Sequence, residues 1–527
     1  MYIILINILI TYFYLVLRFK KNLHMLQQNF YNENNRYIKW GNKNILSVFK
    51  YDLIVLILNI INLFINSKVL IFMNVLYLVL YFVEKSNINK EQVKIPLKVT
   101  SRVKRMIVTN IILYLVPIII YLFNRDIYVF NFIYSLLISF NFYIVFLSNV
   151  INKPVEKCVF LYYKNKAMNK IKSMNNLNVI GITGSYGKTS SKNILNDILS
   201  IKYNSVATPL NYNTQYGLIL TINNYIDKFN DIFIAEMGAF KMGRIKLLCD
   251  LVKPKYGIIT SIGTAHLDTF GSRENVQKGK FELIESLPSD GVGILNADDP
   301  YQVNYKLKND CKIIWIGIEN KDADLVASNI HIDSKGMTFD VYFKSDNITH
   351  TFSTRLLGNA NIYNILAAIA FGKYMGMGLK ELEIGVKRIK PITHRLELKN
   401  MGDRTIIDDA YNSNPVGSKM ALDVLKLMDG LKIVVTPGMI ELGDEQYSLN
   451  KKFGEYISEV ADYVILVGEK QTKPILDGLM ISKYPKDKVY VINDVKEAFN
   501  IIDKVSVKNK HSYILLENDL PDIFNEK

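Results

Sequence analysis

"VIGITGSYGKTSSKN", residues 179–193, decides how this chain is read. The apolar, β-branched run "NVIGIT" (178–183) has the character of a buried strand. Gly184 to Gly187 interrupt it, and "KTSSKNILNDILS" resumes with Ile194, Ile198 and Leu199 at helical spacing. Strand, glycine turn and helix in that order aim backbone N–H groups and a helix N-terminus at one point, which makes an anion cradle. Gly184, Ser185, Gly187, Lys188, Thr189 and Ser190 are its candidate phosphate contacts. Lys188 would neutralise a transferring phosphate, and the Thr189 hydroxyl would ligate Mg²⁺. The long form of such a loop has a glycine where this chain has Ile182, so the compact T-G-x-x-G-K-T form is present.

Downstream, "IFIAEMGAFKMGRI" (232–245) reads as a buried strand delivering Glu236 at its end. "YGIITSIGTAHLDTFGS" (256–272) reads as another, with His266 just beyond it. Both polar groups then fall at strand C-termini, where open α/β sheets bind ligands. "ENVQKGKFELIESLPSDGVGILNADD" (274–299) adds Lys280 on a helical stretch. From about residue 400, short apolar runs at 432–438, 463–468, 488–494 and 512–518 alternate with helical segments, predicting a second, smaller parallel sheet with crossover helices.

The first 150 residues are of another kind. Apolar runs at 1–17, 52–66, 69–83, 106–124 and 128–148 are each near or below the ~20 residues that span hydrocarbon. The first lacks the basic start and small-residue cleavage site of a signal peptide, so five membrane spans are expected. Residues 18–50 carry Arg18, Lys20, Lys21, Arg36, Lys39, Lys43 and Lys50 against Glu33 alone, and residues 85–105 are similarly basic. Basic loops stay cytoplasmic, which puts the N-terminus outside and everything after residue 150 inside, as a multi-pass cell-membrane protein. The expected division is 1–150, 151–398 and 399–527, in line with the roughly three domains that 527 residues predict. The net charge of +15 matches an anionic lipid partner, not nucleic acid, because the basic excess of the first 105 residues lies beside the spans. Cys158, Cys249 and Cys311 are widely spaced and form no CxxC pair, so neither a disulfide framework nor a zinc site is indicated.

Further motifs follow in "LLGNANIYNILAAIAFG" (356–372), "HRLE" (394–397), "IIDDAYNSNP" (406–415) and "VVTPGMIELGDE" (434–445). In this order, the motifs of residues 178–470 resemble those of the Mur ligases, most of all the branch that adds D-alanyl-D-alanine to a cell-wall stem peptide. The resemblance implies a P-loop central domain and a Rossmann-like C-terminal domain, here behind an α-helical transmembrane region. It implies an ATP- and Mg²⁺-dependent amide ligase working through an acyl phosphate. Its partners would be a UDP- or lipid-linked muramyl peptide and a D-amino-acid dipeptide or other amine. By that resemblance Lys188 serves the phosphates and Thr189 with Glu236 one Mg²⁺. His266 and a carbamylated Lys280 serve a second. Asn361 and Asn364 lie on the adenine side, and Arg395 with Asp408 or Asp409 contacts ATP. Two other readings keep the same loop: a poly-γ-glutamate-type ligase of another carboxylate and amine, and a membrane scaffold that only binds nucleotide. The chain departs from the family in having membrane-like residues in place of a UDP-gripping domain, Ala360 in place of a histidine, and the ending "LLENDLPDIFNEK".

Overall fold

The run at 178–183 forms β1 (Asn178–Thr183), and its apolar side chains are buried on both faces, as a central parallel strand requires. β1 pairs in parallel with β3 (Ile232–Glu236) on one side and β4 (Tyr256–Ile259) on the other. The sheet is completed by β2 (Ser205–Ala207), β5 (Val292–Asn296), β6 (Lys312–Gly317), β7 (Leu325–Asp333), β8 (Gly336–Phe343) and β9 (Ile348–Thr354), in the order β2-β3-β1-β4-β5-β6-β7-β8-β9. The last three strands are an antiparallel extension. The computed structural model describes the chain except residues 1, 50–51, 63–68, 91–95, 126, 334–335, 392, 411–413, 441, 507–509 and 520–527.

The second sheet has β10 (Glu397–Asn400), β11 (Arg404–Asp409), β12 (Leu431–Thr436), β13 (Tyr463–Val467), β14 (Val489–Ile492) and β15 (Ser512–Glu517), ordered β10-β11-β15-β12-β13-β14. All neighbours are parallel except β10 with β11, so the alternation expected from residue 400 onward is present. The expected break after residue 398 falls inside β10, because that strand already pairs with β11. One apolar core runs through both sheets. The helix Asn359–Tyr374 packs on Lys188–Leu199, and Ala421, Leu422 and Leu425 of Pro415–Lys426 join the same cluster.

Residues 1–162 and 163–527 are separate compact units. The first is helical. The break expected after residue 150 lies within the helix Asn141–Lys172, where the Lys-rich stretch 151–172 contains no glycine to end the helix. Five spans are more than the described residues show. Ser101–Phe123 alone is long and apolar enough to cross a membrane, and Phe132–Ser139 with Asn141–Lys172 passes as a pair bent by 80°. The run at 52–66 is helical over Asp52–Asn62, and its end lies outside the described residues.

The expected loop 18–50 is also mostly helical, and Arg18 is no loop charge. It lies on the helix Tyr2–Gln28, 3% exposed, with its guanidinium 2.5 Å from Asp52 and 3.2 Å from Glu84. The Tyr14 hydroxyl donates to the other Asp52 oxygen at 2.7 Å. A charge without water needs a charged partner, and here the partners come from two other helices. Arg18→Ala would leave Asp52 and Glu84 buried around a hole, at a cost of about 3–5 kcal/mol. Limited proteolysis of the purified protein should show this as faster cleavage within residues 1–162, and Arg18→Ala/Asp52→Ala should recover part of the resistance.

Candidate active site

Between β1 and the helix Lys188–Leu199 the backbone makes an open curve. Gly184 (φ +154°) and Gly187 (φ +79°) adopt angles other residues avoid. The curve is fixed from the β4 side: Ser185 N–H donates to the Ser261 carbonyl at 2.7 Å, and the Thr260 hydroxyl donates to the Tyr186 carbonyl at 2.5 Å. Ser185 is buried, and its hydroxyl accepts from Gly263 N–H. Lys188, Thr189 and Ser190 form the first helical turn, whose N–H groups have no partner within the helix. Lys188 Nζ donates to the carbonyls of Gly184 at 2.8 Å and Ser185 at 3.2 Å. Burial lowers its pKa to about 8, partly offset by Glu236 and reinforced by Arg395. Five of the expected positions thus share one electrostatic field, since Lys188 also lowers Lys280 and Arg395 acts on Asp409.

Glu236 ends β3 almost wholly buried. Its Oε1 accepts from the Thr189 hydroxyl at 3.1 Å and the Asn213 amide at 3.2 Å. Its Oε2 has no hydrogen bond and faces the Lys192 ammonium at 3.2 Å. This donor set fits Mg²⁺. Among the described residues no group of three or more His, Cys, Asp or Glu side chains is gathered for a metal. Mg²⁺ commonly takes one or two carboxylates and completes its shell with water and substrate phosphates. Lys280, 1% exposed on Arg273–Glu285, donates to the Ala239 carbonyl at 3.3 Å. Burial, then the Lys188 charge, holds it well below the usual lysine range, and a neutral amine is the form that adds CO₂ to become a carbamate. His266 opens the short helix Leu267–Phe270 at φ +59°, and the Phe270 ring lies 5.5 Å from Lys280 Nζ. His266 and Lys280 therefore belong to adjoining helices at one corner.

The two asparagines of Asn359–Tyr374 differ. Asn364 is buried against the loop, its Oδ1 3.5 Å from where a Gly187 Cβ would stand, whereas the Asn361 amide donates to the Leu357 carbonyl just before the start of its own helix. Strand alternation likewise separates the aspartates. Asp408 is held by Lys399 at 2.5 Å and His394 at 2.7 Å. Asp409 accepts from Leu396 N–H and lies in the field of Arg395.

Burial raises the Asp409 pKa to about 6 against the pull of Arg395. A carboxyl that binds its proton more tightly folded than unfolded costs stability once ionised. That cost is full above pH 6 and gone below about pH 4. Asp409→Asn should therefore add stability on the order of 2 kcal/mol at pH 7.5, seen as a higher melting midpoint, a gain that fades as pH falls from 6 to 4. Scanning fluorimetry across that range checks it.

Lys192, Asn213 and Thr208, which donates no charge but accepts from Glu236 N–H at 3.2 Å, were not among the expected residues. Lys192 follows Lys188 by one helical turn, a spacing that puts both on one face and could have marked it.

The Mur ligase middle domain matches residues 182–372, and the Mur ligase glutamate ligase domain matches 394–515. UDP-N-acetylmuramoyl-tripeptide–D-alanyl-D-alanine ligase of Bacillus subtilis is 32% identical over 335 residues, 63% of this chain and 71% of that protein. Its Escherichia coli counterpart is 30% identical over 60% of this chain and 70% of its own. In fold the chain is similar to MurF from Acinetobacter baumannii, with a TM-score of 0.62 at 24% identity over 68% of this chain and 77% of that one. It is also similar to the MurF ligase from Thermotoga maritima solved with ADP, with a TM-score of 0.61 at 24% identity over 68% and 80%. With its phosphate loop, its two domains and these relatives, the chain belongs to the Mur ligase family of ATP-dependent acid–amino-acid ligases.

Proposed function

We propose that this is a membrane-anchored ligase joining D-alanyl-D-alanine, or an amine like it, to the peptide carboxylate of a cell-wall precursor carried on UDP or on lipid. The observation that carries the reading is the 32% identity to a ligase of that name across 71% of its length. In this reading the cradle at 184–190 and Lys188 hold the triphosphate, with Arg395 and Asp409 approaching from the second sheet. Mg²⁺, held by Thr189 and Glu236 and by His266 with Lys280, would supply charge neutralisation between the two anions that must meet. The carboxylate oxygen bonds to the γ-phosphorus as the bond to ADP breaks. The amine nitrogen then bonds to the acyl carbon and gives up a proton as phosphate leaves. Catalysis here is chiefly positioning and electrostatics, for which cationic side chains around a dry loop are suited.

Anchoring is supported by the make-up of residues 1–162. Charged Arg18, Asp52 and Glu84 are inside, while Ile112, Ile119, Leu122 and Phe123 are 52–84% exposed. An apolar exterior around a polar interior suits lipid as the solvent. By the rule that basic loops stay cytoplasmic, this reading has the N-terminus outside and the ligase in the cytoplasm.

The test is to incubate detergent-solubilised protein with Mg-ATP, UDP-linked or lipid-linked muramyl tripeptide, and either D-alanyl-D-alanine or glutamate. Phosphate release and product mass are followed. Mass addition of the dipeptide supports the reading, glutamate addition replaces it with the poly-γ-glutamate type, and nucleotide binding without any product replaces it with a scaffold.

A further inference from the structure

We infer that Lys192 is a positioning residue that occupies one oxygen of Glu236 with a fixed cation, so that a divalent ion binds there tightly only together with nucleotide phosphate. The inference rests on the Mg-ATP reading of this site and adds a residue and an order of binding to it.

The Lys192 and Glu236 side chains are each 1% exposed and lie 3.2 Å apart. The Lys192 ammonium is anchored from behind by the Leu210 carbonyl at 2.5 Å. Glu236 is anchored on its other oxygen by Thr189 and Asn213 and at its backbone by Thr208. Turning away would cost Lys192 the Leu210 carbonyl and Glu236 its bonds from Thr189 and Asn213, so the pair is held in place. Lys188, one turn earlier on the same helix, acts on the same carboxylate. Two ammonium charges therefore act on one carboxylate, Lys192 in contact with it and Lys188 through the field, and a free divalent cation approaching Glu236 meets net positive charge. A triphosphate reverses that sign. The site is built to disfavour metal alone and to accept metal that arrives with phosphate.

Replacing Lys192 by an uncharged side chain of similar length removes one cation at contact distance. Affinity for a lone divalent ion should rise about tenfold or more, as Coulomb attraction in a partly desolvated site predicts. A merely structural lysine would give the opposite sign, because disordering Glu236 weakens metal binding. The experiment is a Mn²⁺ titration of full-length detergent-solubilised protein, reading free Mn²⁺ by electron paramagnetic resonance with and without ADP. K192M without ADP should bind Mn²⁺ at least tenfold more tightly than wild type, K192R should match wild type, and K192M/E236Q should lose the gain. Should K192M fail to fold, K192Q carries the same comparison. Equal or weaker Mn²⁺ binding by the neutral variant, while ADP still strengthens binding in wild type, overturns this inference alone. Wild-type Mn²⁺ binding that ADP does not strengthen overturns the Mg-ATP reading, and the inference with it.

Discussion

Lys188→Ala should lower ATP turnover by about 10³-fold or more while leaving the fold intact. The ammonium is partly buried at the mouth of the glycine turn, bonded to the neutral carbonyls of Gly184 and Ser185. A phosphate oxygen carries charge and would displace either acceptor, since charge-assisted hydrogen bonds are roughly twice as strong as neutral ones. That exchange is worth most when the γ-phosphate develops charge during transfer, so the loss should appear in kcat more than in KM. Removing one preorganised donor from such a site typically costs about 10²–10³-fold, and a full cation costs more. Stability should respond differently. Burial lowers the Lys188 pKa to about 8, so at neutral pH the folded protein carries a charge it solvates poorly. Below pH 8 that charge opposes folding, and the opposition disappears only as pH rises toward the unfolded lysine value. The alanine variant should therefore melt at or above the wild-type midpoint at pH 7. Single-turnover phosphate release and scanning fluorimetry on one preparation separate the two effects.

The same contrast between local pattern and buried environment explains what could be read from the chain. Strand, glycine turn and helix were legible because β1 is flanked by parallel strands on both sides, so its residues are apolar without interruption. Glu236 was legible because it is the first charged residue after such a run. Asn213 and Thr208 were not. They reach Glu236 from the segment after β2, a three-residue edge strand too short to leave a periodic signal. The antiparallel β7-β8-β9 extension was missed as well. Its strands carry Thr, His, Asp and Asn on their outward faces, which dilutes the hydrophobic run. Arg18 misled for the opposite reason. A positive residue at the end of an apolar run normally snorkels to water, and only the two carboxylates on other helices show that it turns inward. The choice between Asp408 and Asp409 needed the pairing of β11 with β10. That pairing places Asp408 opposite Glu397, within reach of Lys399.

Gly184→Ala tests the cradle without touching a single charge, and its effect should be nearly as large. A Cβ at Gly184 would stand 2.0 Å from the Thr260 hydroxyl and 3.1 Å from the Ser261 backbone nitrogen and oxygen, at a φ of +154°. Thr260 cannot simply rotate aside, because its hydroxyl bonds the Tyr186 carbonyl and so helps hold the loop's far side. Accommodation must come from the loop, where overpacking of about 1–3 kcal/mol adds to backbone strain of about 1–3 kcal/mol. ATP affinity should fall roughly 10²-fold or more as the phosphate-binding N–H groups lose their common aim. Gly184→Ala/Thr260→Ala should recover only the part due to the hydroxyl, since the Ser261 backbone and the φ angle remain. Gly243→Ala is the control: its φ of +79° is also unfavourable, but an added Cβ meets nothing within 4 Å. It should cost about 1 kcal/mol of stability and leave ATP binding unchanged. Calorimetric titration of ATP into the three variants distinguishes a loop whose shape binds phosphate from a lysine that does so alone. Near-wild-type affinity in Gly184→Ala would mean the backbone curve contributes little.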